Sequence, residues 1–338
     1  MTVELARPTE SAPLRRTRSE PSSFSSRIAA IVKSTEAQIL IAAAVLFAVF
    51  SYLYPDSFFS TGTFMNMARV AGILLVVSLG QSFALVVGGF DISVGATMGL
   101  VSIIISLNMV NGGDVGTAIV IGLLAATLVG LVNGILIARF GVTPFVTTLG
   151  MLTFLRGLAD QLGHGGSIVG LPRALSMFGR GNWFGIPSAA CLAAIALVIA
   201  WFILQRTRAG LYIFSIGGNR EAARVSGIEV VRYEILAYTL CSLFAGIGGV
   251  MLTSRVSIGQ GSLGTGYELL SIATAVIGGV AIGGGVGRLS GVVLGVLLLT
   301  FLTTGLDIAG VNTFYQQMVT GCVLVAAVLV SQMQKSRR

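Results

Sequence analysis

The sequence predicts an all-α membrane protein of about ten transmembrane helices. Of its 338 residues, 54% are hydrophobic and only 10% are charged, with a mean hydropathy of +0.92. A soluble domain carries about 25% charge, so this composition belongs in a bilayer. Apolar runs near the ~20 residues that a bilayer requires recur along the chain. They fall at about 38–54, 69–88, 92–109, 115–138, 143–162, 187–205, 233–253, 268–287, 289–306 and 314–331. Ten is an even number, so both termini fall on one side.

The cations choose that side. With the N-terminus in the cytoplasm, sixteen of the 21 Lys and Arg lie on the inner face. Only Arg69, Arg156, Arg173, Arg180 and Arg255 lie outside or in the outer half. This follows the positive-inside rule. The net charge of +8 therefore belongs to a membrane surface, and no nucleic-acid partner is expected. Residues 1–36 are expected as a disordered basic cytoplasmic tail, 37–332 as the transmembrane domain, and 333–338 as a short basic cytoplasmic tail. The first long apolar run starts too late for a signal peptide. Cys191, Cys241 and Cys322 sit in apolar runs too far apart for a zinc motif, and no metal site is expected.

Spans 2 and 3 leave little room between them. The turn GGFDISVG, Gly88 to Gly95, must be short and lie at or within the membrane edge. Gly88 and Gly89 break span 2. Asp91 is placed to cap span 3, with a gate or hinge role as the second reading. Ser93 follows it in the same turn. Span 5 carries Thr143, Thr147, Gly150, Thr153, Arg156 and Asp160 at helical spacing. Arg156 and Asp160, four apart, are expected to neutralise each other near the outer surface. The threonines either bond back to the helix or face a cavity suited to a neutral polyol. Asn133, Gln81 and Thr303 are similar cases on other spans.

Residues 254–267 read as a glycine-rich outer loop. Glu268 opens span 8, where the helix dipole favours an acid. Arg69, Arg173, Arg180 and Arg255 either anchor to lipid headgroups or form a landing surface for an acidic partner. The glycines from Gly278 to Gly287 break span 8, with Gly287, Gly291 and Gly295 as a packing seam. No strand precedes them and neither of the two lysines follows a glycine, so this is not a phosphate loop. No catalytic constellation is visible.

The interval from Arg206 to Arg232 is polar and basic between two apolar blocks. Within it, Asn219 is a good N-cap, Glu221 sits in the first turn, and Gly218 and Gly227 punctuate both ends. Asn219 to Ser226 therefore reads as a short amphipathic helix. A solitary exposed helix of that length is marginal, so its expected use is docking a partner. The plainer alternative is a solvated basic loop.

Four segments together resemble the ribose-type ABC transporter permease family. They are GGFDISVG at 88–95, NGILIARFGVTPFVTTLGMLTFLRGLA at 133–159, GGNREAARVSGI at 217–228 and GYELLSIATAVIGGVAIGGGVGRLSG at 266–291. The resemblance runs from about residue 40 to 331. Phe90 and Ile92 replace the Ile and Leu of the family's first signature. Leu270 stands where the family usually has an aspartate, and Val286 where it often has an arginine.

The resemblance implies a type II-like importer subunit of the bacterial inner membrane. It implies a second permease copy, a cytoplasmic ATPase subunit that carries ATP and Mg, and a sugar-binding protein. No cofactor is expected on this chain. It assigns the coupling helix to Asn219, Arg220, Glu221, Ala222, Ala223, Arg224, Ser226 and Gly227. Gly88, Gly89, Asp91, Ser93, Asn133, Thr147, Thr153 and Glu268 are the path or gate candidates, and Arg173, Arg180 and Arg255 those for docking the binding protein. A branched-chain amino-acid permease and a self-contained secondary transporter are the alternatives. The second would want membrane-embedded ionisable groups, and Asp91 and Glu268 are both explicable as helix starts.

Overall fold

The computed structural model describes residues 35–336; the tail expected at 1–36 lies, but for its last two residues, outside them, as do residues 337 and 338. Helices dominate. The chain runs through α1 (Thr35–Leu53), α2 (Pro55–Phe58), α3 (Thr61–Val86), α4 (Val94–Val110), α5 (Val115–Ala138) and α6 (Pro144–Leu162). A 3-10 turn, Arg173–Phe178, and a two-stranded hairpin, β1 (Asn182–Trp183) and β2 (Ile186–Pro187), follow. Then come α7 (Ser188–Arg206), α8 (Arg208–Gly218), α9 (Arg220–Val225), α10 (Val230–Val256), α11 (Tyr267–Ile277), α12 (Leu289–Ile308) and α13 (Thr313–Ser336).

Among the described residues, six helices are long and apolar enough to cross a membrane: α1, α3, α5, α7, α10 and α12. That is fewer than the ten spans predicted, for local reasons. α4 and α11 are apolar but short. α6 carries Arg156 and Asp160, which dilute its apolar character. The expected span at 268–287 stops at Ile277, and Gly279, Gly284 and Gly285 then turn with φ of 86°, 83° and 71°.

α10 is the central helix and packs on α3, α4 and α5. Small residues let it approach closely. A Cβ on Gly130 of α5 would lie 2.5 Å from Tyr238 O, and one on Gly134 2.7 Å from Ile235 Cα. The expected glycine seam does the same between α11 and α12. Gly291 abuts Gly278 O, and Gly295 abuts Thr274 O. The outer faces of α5 and α7 present exposed Leu124, Leu128, Val198 and Phe202, which suit lipid contact.

The segment 254–267 departs from its expected place as an outer loop. After Ser257, whose φ of 63° ends α10, the chain doubles back along α4. Gln260 N donates to Ser102 Oγ at 3.2 Å, Gly261 O meets Gly99, and Gly264 O meets Gly95. The glycines on both sides are what allow two backbones to run this close. The consequence is that α11 begins beside the start of α4, well inside the bundle.

Candidate functional site

The short helix α9 stands between α8 and α10. Asn219 Oδ1 accepts from Ala222 N at 2.9 Å, satisfying an otherwise unpaired N–H of the first turn. Gly227, at φ 84°, ends the turn that follows. Ser226 Oγ donates back to Ala222 O at 2.8 Å. Arg224 and Glu221 form an exposed pair at 2.6 Å. Arg224's hydrogen bond holds the Glu221 carboxyl below its usual range, and Glu221 raises the guanidinium. Ala222 and Val225 are exposed beside this pair.

Ala223 departs from its expected role. Assigned to the coupling helix with its neighbours, it is buried and packs into the main core. Arg220 also turns inward. Its Nε and Nη2 donate to the two carboxylate oxygens of Glu234 on α10, at 2.7 and 3.2 Å. That fork pins α9 to α10. Beside it opens a groove of about 620 Å³, lined by Arg220, Arg224, Arg232 and Ile235 among others. Sequence reasoning missed Glu234 and Val225. An acid inside an otherwise apolar helix was the available signal for the first.

Three backbones meet just behind α9. Gly285 N donates to Val86 O at 2.9 Å. A Cβ on Gly217 would overlap Val86 O and lie 2.5 Å from Gly285 N. One on Gly284 would lie 2.8 Å from both Gly88 Cα and Gly217 Cα. The end of α3, the end of α8 and the turn after α11 thus touch with no side chain between them.

The α3–α4 turn is organised by Asp91, which is fully buried. Its place in the turn differs from that expected. Ser93, not Asp91, holds the N-cap position of α4. Asp91 Oδ1 accepts from Ser93 N at 2.8 Å and Ser93 Oγ at 2.6 Å. Its Oδ2 accepts from Asn133 Nδ2 at 3.3 Å and Ser242 Oγ at 3.4 Å. In the orientation that satisfies both groups, the Gln81 amide donates to Asp91 O (3.1 Å) and accepts from Asp91 N (3.0 Å). One residue therefore gathers α3, α4, α5 and α10 through neutral donors. Gly89 sits against Tyr238 Oη and Pro144, at the head of α6.

Arg156 does not pair with Asp160. Its Nη2 lies 3.3 Å from Glu268 Oε1, so α6 is tied to the start of α11. Asp160 Oδ1 instead faces Gly261 of the returning segment. Glu268 is buried, and its Oε2 accepts from Gly266 N at 3.0 Å. The threonines of α6 divide. Thr147 is buried, whereas Thr153 is exposed and bonds back to Leu149 O. Gly150 and Gly157 lie on the same exposed side, with nothing in front of them.

At the far end, Arg173 and Arg180 are exposed and in no ion pair among the described residues. They sit in a segment that also exposes Val169, Met177, Phe184 and Ile186. Arg255 is engaged: its Nη2 donates to Asn66 Oδ1 at 3.1 Å. Arg69 likewise donates to Asn182 Oδ1 at 3.0 Å.

Residues 63–328 match the family described as branched-chain amino acid transport system / permease component. The ribose import permease protein RbsC of Bacillus subtilis is 38% identical over 290 residues, covering 85% of this chain and 90% of its own. That of Escherichia coli K12 is 34% identical over 302 residues, covering 87% and 93%. The D-allose transport system permease protein AlsC of Escherichia coli K12 is 32% identical over 291 residues, covering 86% and 89%. No solved structure matches the chain significantly. These relatives support the importer reading and not the self-contained secondary transporter. The chain belongs to this permease family and is the membrane-spanning subunit of an ABC importer, a transport component and not an enzyme.

Proposed function

We propose that this subunit forms the path for a neutral monosaccharide or related polyol, delivered by a binding protein and driven by a separate ATPase. The substrate class rests on the relatives, whose names specify ribose and allose. It fits the helix faces, since ionisable groups near the path are few, Arg156 being paired with Glu268 and Asp91 held by neutral donors, and a charged solute would want a compensating charge. Specificity then resides in the binding protein, and the membrane passage is weakly selective.

The observation that carries the mechanism is α9. It is capped at one end, terminated by a glycine at the other, pinned to α10 through Arg220 and Glu234, and open to a partner along Glu221, Ala222, Arg224 and Val225. In this reading α9 is the coupling helix. ATP and Mg are held on the partner chain, and closure of two ATPase subunits pushes on α9 of two permease copies. The backbone contacts among Gly217, Val86 and Gly285 carry that push into α3 and the turn after α11. Helices α4, α6 and α13, and α11 together with the returning segment 258–266, complete ten crossings with the six long ones, in the bacterial inner membrane with both termini cytoplasmic. Arg173 and Arg180 face the binding protein; Arg255 braces α10 against α3.

The test is reconstitution in vesicles with the ATPase and binding protein from the same system. ATP-dependent uptake of a neutral sugar is expected, together with cytoplasmic labelling at Arg224→Cys and outside labelling at Arg180→Cys. Labelling of both on one face, or uptake without ATP, overturns the reading.

A further inference from the structure

Arg156 and Glu268 sit deeper than a surface pair. Thr274 of α11 shares a 2.6 Å hydrogen bond with Ser78 of α3. Ser78 stands about 12 Å along α3 from Val86, and Glu268 about 9 Å along α11 beyond Thr274, at ~1.5 Å per residue. With Val86 at the cytoplasmic edge, as the proposed topology has it, Glu268 lies about 21 Å in, inside a hydrocarbon core ~30 Å thick. The returning segment 258–266 places it there, and Gly95 leaves room for its carboxylate. Ionisable side chains at such depth face the bundle interior and mark solute paths.

The pair has one closed side and one open side. Glu268 is buried and held by Gly266 N, while the Arg156 side chain is 39% exposed. On the open side of α6, Gly150, Thr153 and Gly157 share one face, with free space at both glycines, and Asp160 is exposed one turn beyond Arg156. A polyol entering such a passage loses water from every hydroxyl, and each must be offered a donor or acceptor. The guanidinium supplies fixed donors, and Glu268 Oε1, once released, an acceptor.

We propose that the Arg156–Glu268 pair is the mid-path contact for the transported polyol: sugar hydroxyls bridge the two side chains during passage, and the ion pair recloses behind them. This rests on the importer reading above. It requires hydrogen bonding at these positions and not charge as such.

The test compares Arg156→Gln with Arg156→Met in the full reconstituted complex. Assembly, ATPase stimulation by the sugar-loaded binding protein, and sugar uptake are measured. Arg156→Gln is expected to keep at least a third of wild-type uptake. Arg156→Met is expected to lose tenfold or more, with assembly and ATPase stimulation within twofold of wild type. Retained uptake in Arg156→Met overturns the proposal. So does equal loss of uptake in both variants, and so does loss of assembly in both, which would make the pair a structural tie. If only Arg156→Met fails to assemble, Glu268→Gln decides: its amide still accepts and donates, so uptake within threefold supports the proposal and a tenfold loss overturns it. Absence of sugar uptake by the wild-type complex would count against the importer reading itself, separately from this contact.

Discussion

Gly217 has no space for a side chain because the carbonyl of Val86 occupies it. Val86 ends α3, and Gly217 lies two residues before Asn219, the N-cap of α9. The same carbonyl accepts from Gly285 N. A displacement of α9 is therefore felt by α3 and by the turn after α11 without an intervening flexible side chain. Packed contacts of this kind switch between arrangements more readily than they deform.

Gly217→Ala is the direct test of that contact. The added methyl meets backbone on two sides, and overpacking of this sort typically costs about 1–3 kcal/mol. The variant is expected to reach the membrane and bind the ATPase, with uptake per ATP hydrolysed reduced at least fivefold. Gly218→Ala, where a Cβ meets nothing, is the control and is expected to behave as wild type. Equal behaviour of the two variants would show that the contact transmits nothing.

Asp91 separates a charge role from a hydrogen-bond role. All its partners among the described residues are neutral, and Asn133 Oδ1 has none. In Asp91→Asn the new Oδ1 keeps both Ser93 donors. Its new N–H₂ then meets Asn133, whose amide can turn so that the unpartnered oxygen accepts, giving up the 3.0 Å bond its nitrogen donates to Ser93 Oγ. Asp91→Asn is thus expected to retain most uptake. Asp91→Ala strands Ser93, Asn133 and Ser242 and is expected to lower the complex's thermal midpoint and abolish uptake, since orphaned buried polar groups cost about 1–3 kcal/mol each. Complete loss of transport in Asp91→Asn, with the complex intact, would mean the carboxylate itself is required.

Much of this was legible in the sequence. The membrane class followed from composition, and the family from four motifs in order. Helix α9 was legible because Asn219 and Gly227 are strong local signals at its two ends. What failed was long-range. Arg156 and Asp160 are neighbours on one helix, so sequence pairs them. Glu268 reaches Arg156 only because residues 258–266 turn back into the bundle, and no periodicity announces that. Ala223 was misplaced because a six-residue helix between two arginine-rich stretches has no apolar stripe to say which side faces inward. Glycine is neutral in hydropathy, so the glycine turn after Ile277 reads as a continuing apolar run and the predicted span 8 exceeds the helix.

At the far end, Arg173 and Arg180 differ from Arg255 in what they touch. The first two are exposed and outside any ion pair among the described residues; the third is committed to Asn66. Charge reversal at Arg173 and Arg180 together is expected to weaken stimulation of the ATPase by the binding protein several-fold, with a smaller effect at high salt, because exposed charges are screened beyond about 10 Å at 0.1 M. Arg255→Ala is expected to leave stimulation unchanged and to lower thermal stability slightly. Salt-independent loss in all three would point to folding and away from docking.

The burial pattern of α9 sharpens the coupling test. Ala222 and Ala223 are adjacent and chemically identical, yet one is exposed and the other is 4% exposed and packed in the core. Ala222→Trp adds bulk on the side facing a partner. It is expected to leave the permease inserted and stable, and to reduce co-purification of the ATPase or uptake per ATP tenfold. Ala223→Trp adds the same bulk inside and is expected to destabilise the permease itself, with or without the ATPase. Glu221→Lys opposes Arg224 on the exposed face and reverses charge at the helix start, where an acid is favoured. It is expected to impair assembly without lowering the permease's own thermal midpoint by more than a few degrees. The Glu221–Arg224 pair is insensitive to pH through the physiological range. Arg224 depresses the carboxyl's folded pKa, so any contribution is present above its ordinary range and is lost only as pH falls through the depressed value. Assembly that weakens between pH 8 and 6 would therefore have to come from another group. Normal assembly and normal uptake in both Ala222→Trp and Glu221→Lys would remove α9 from the coupling pathway.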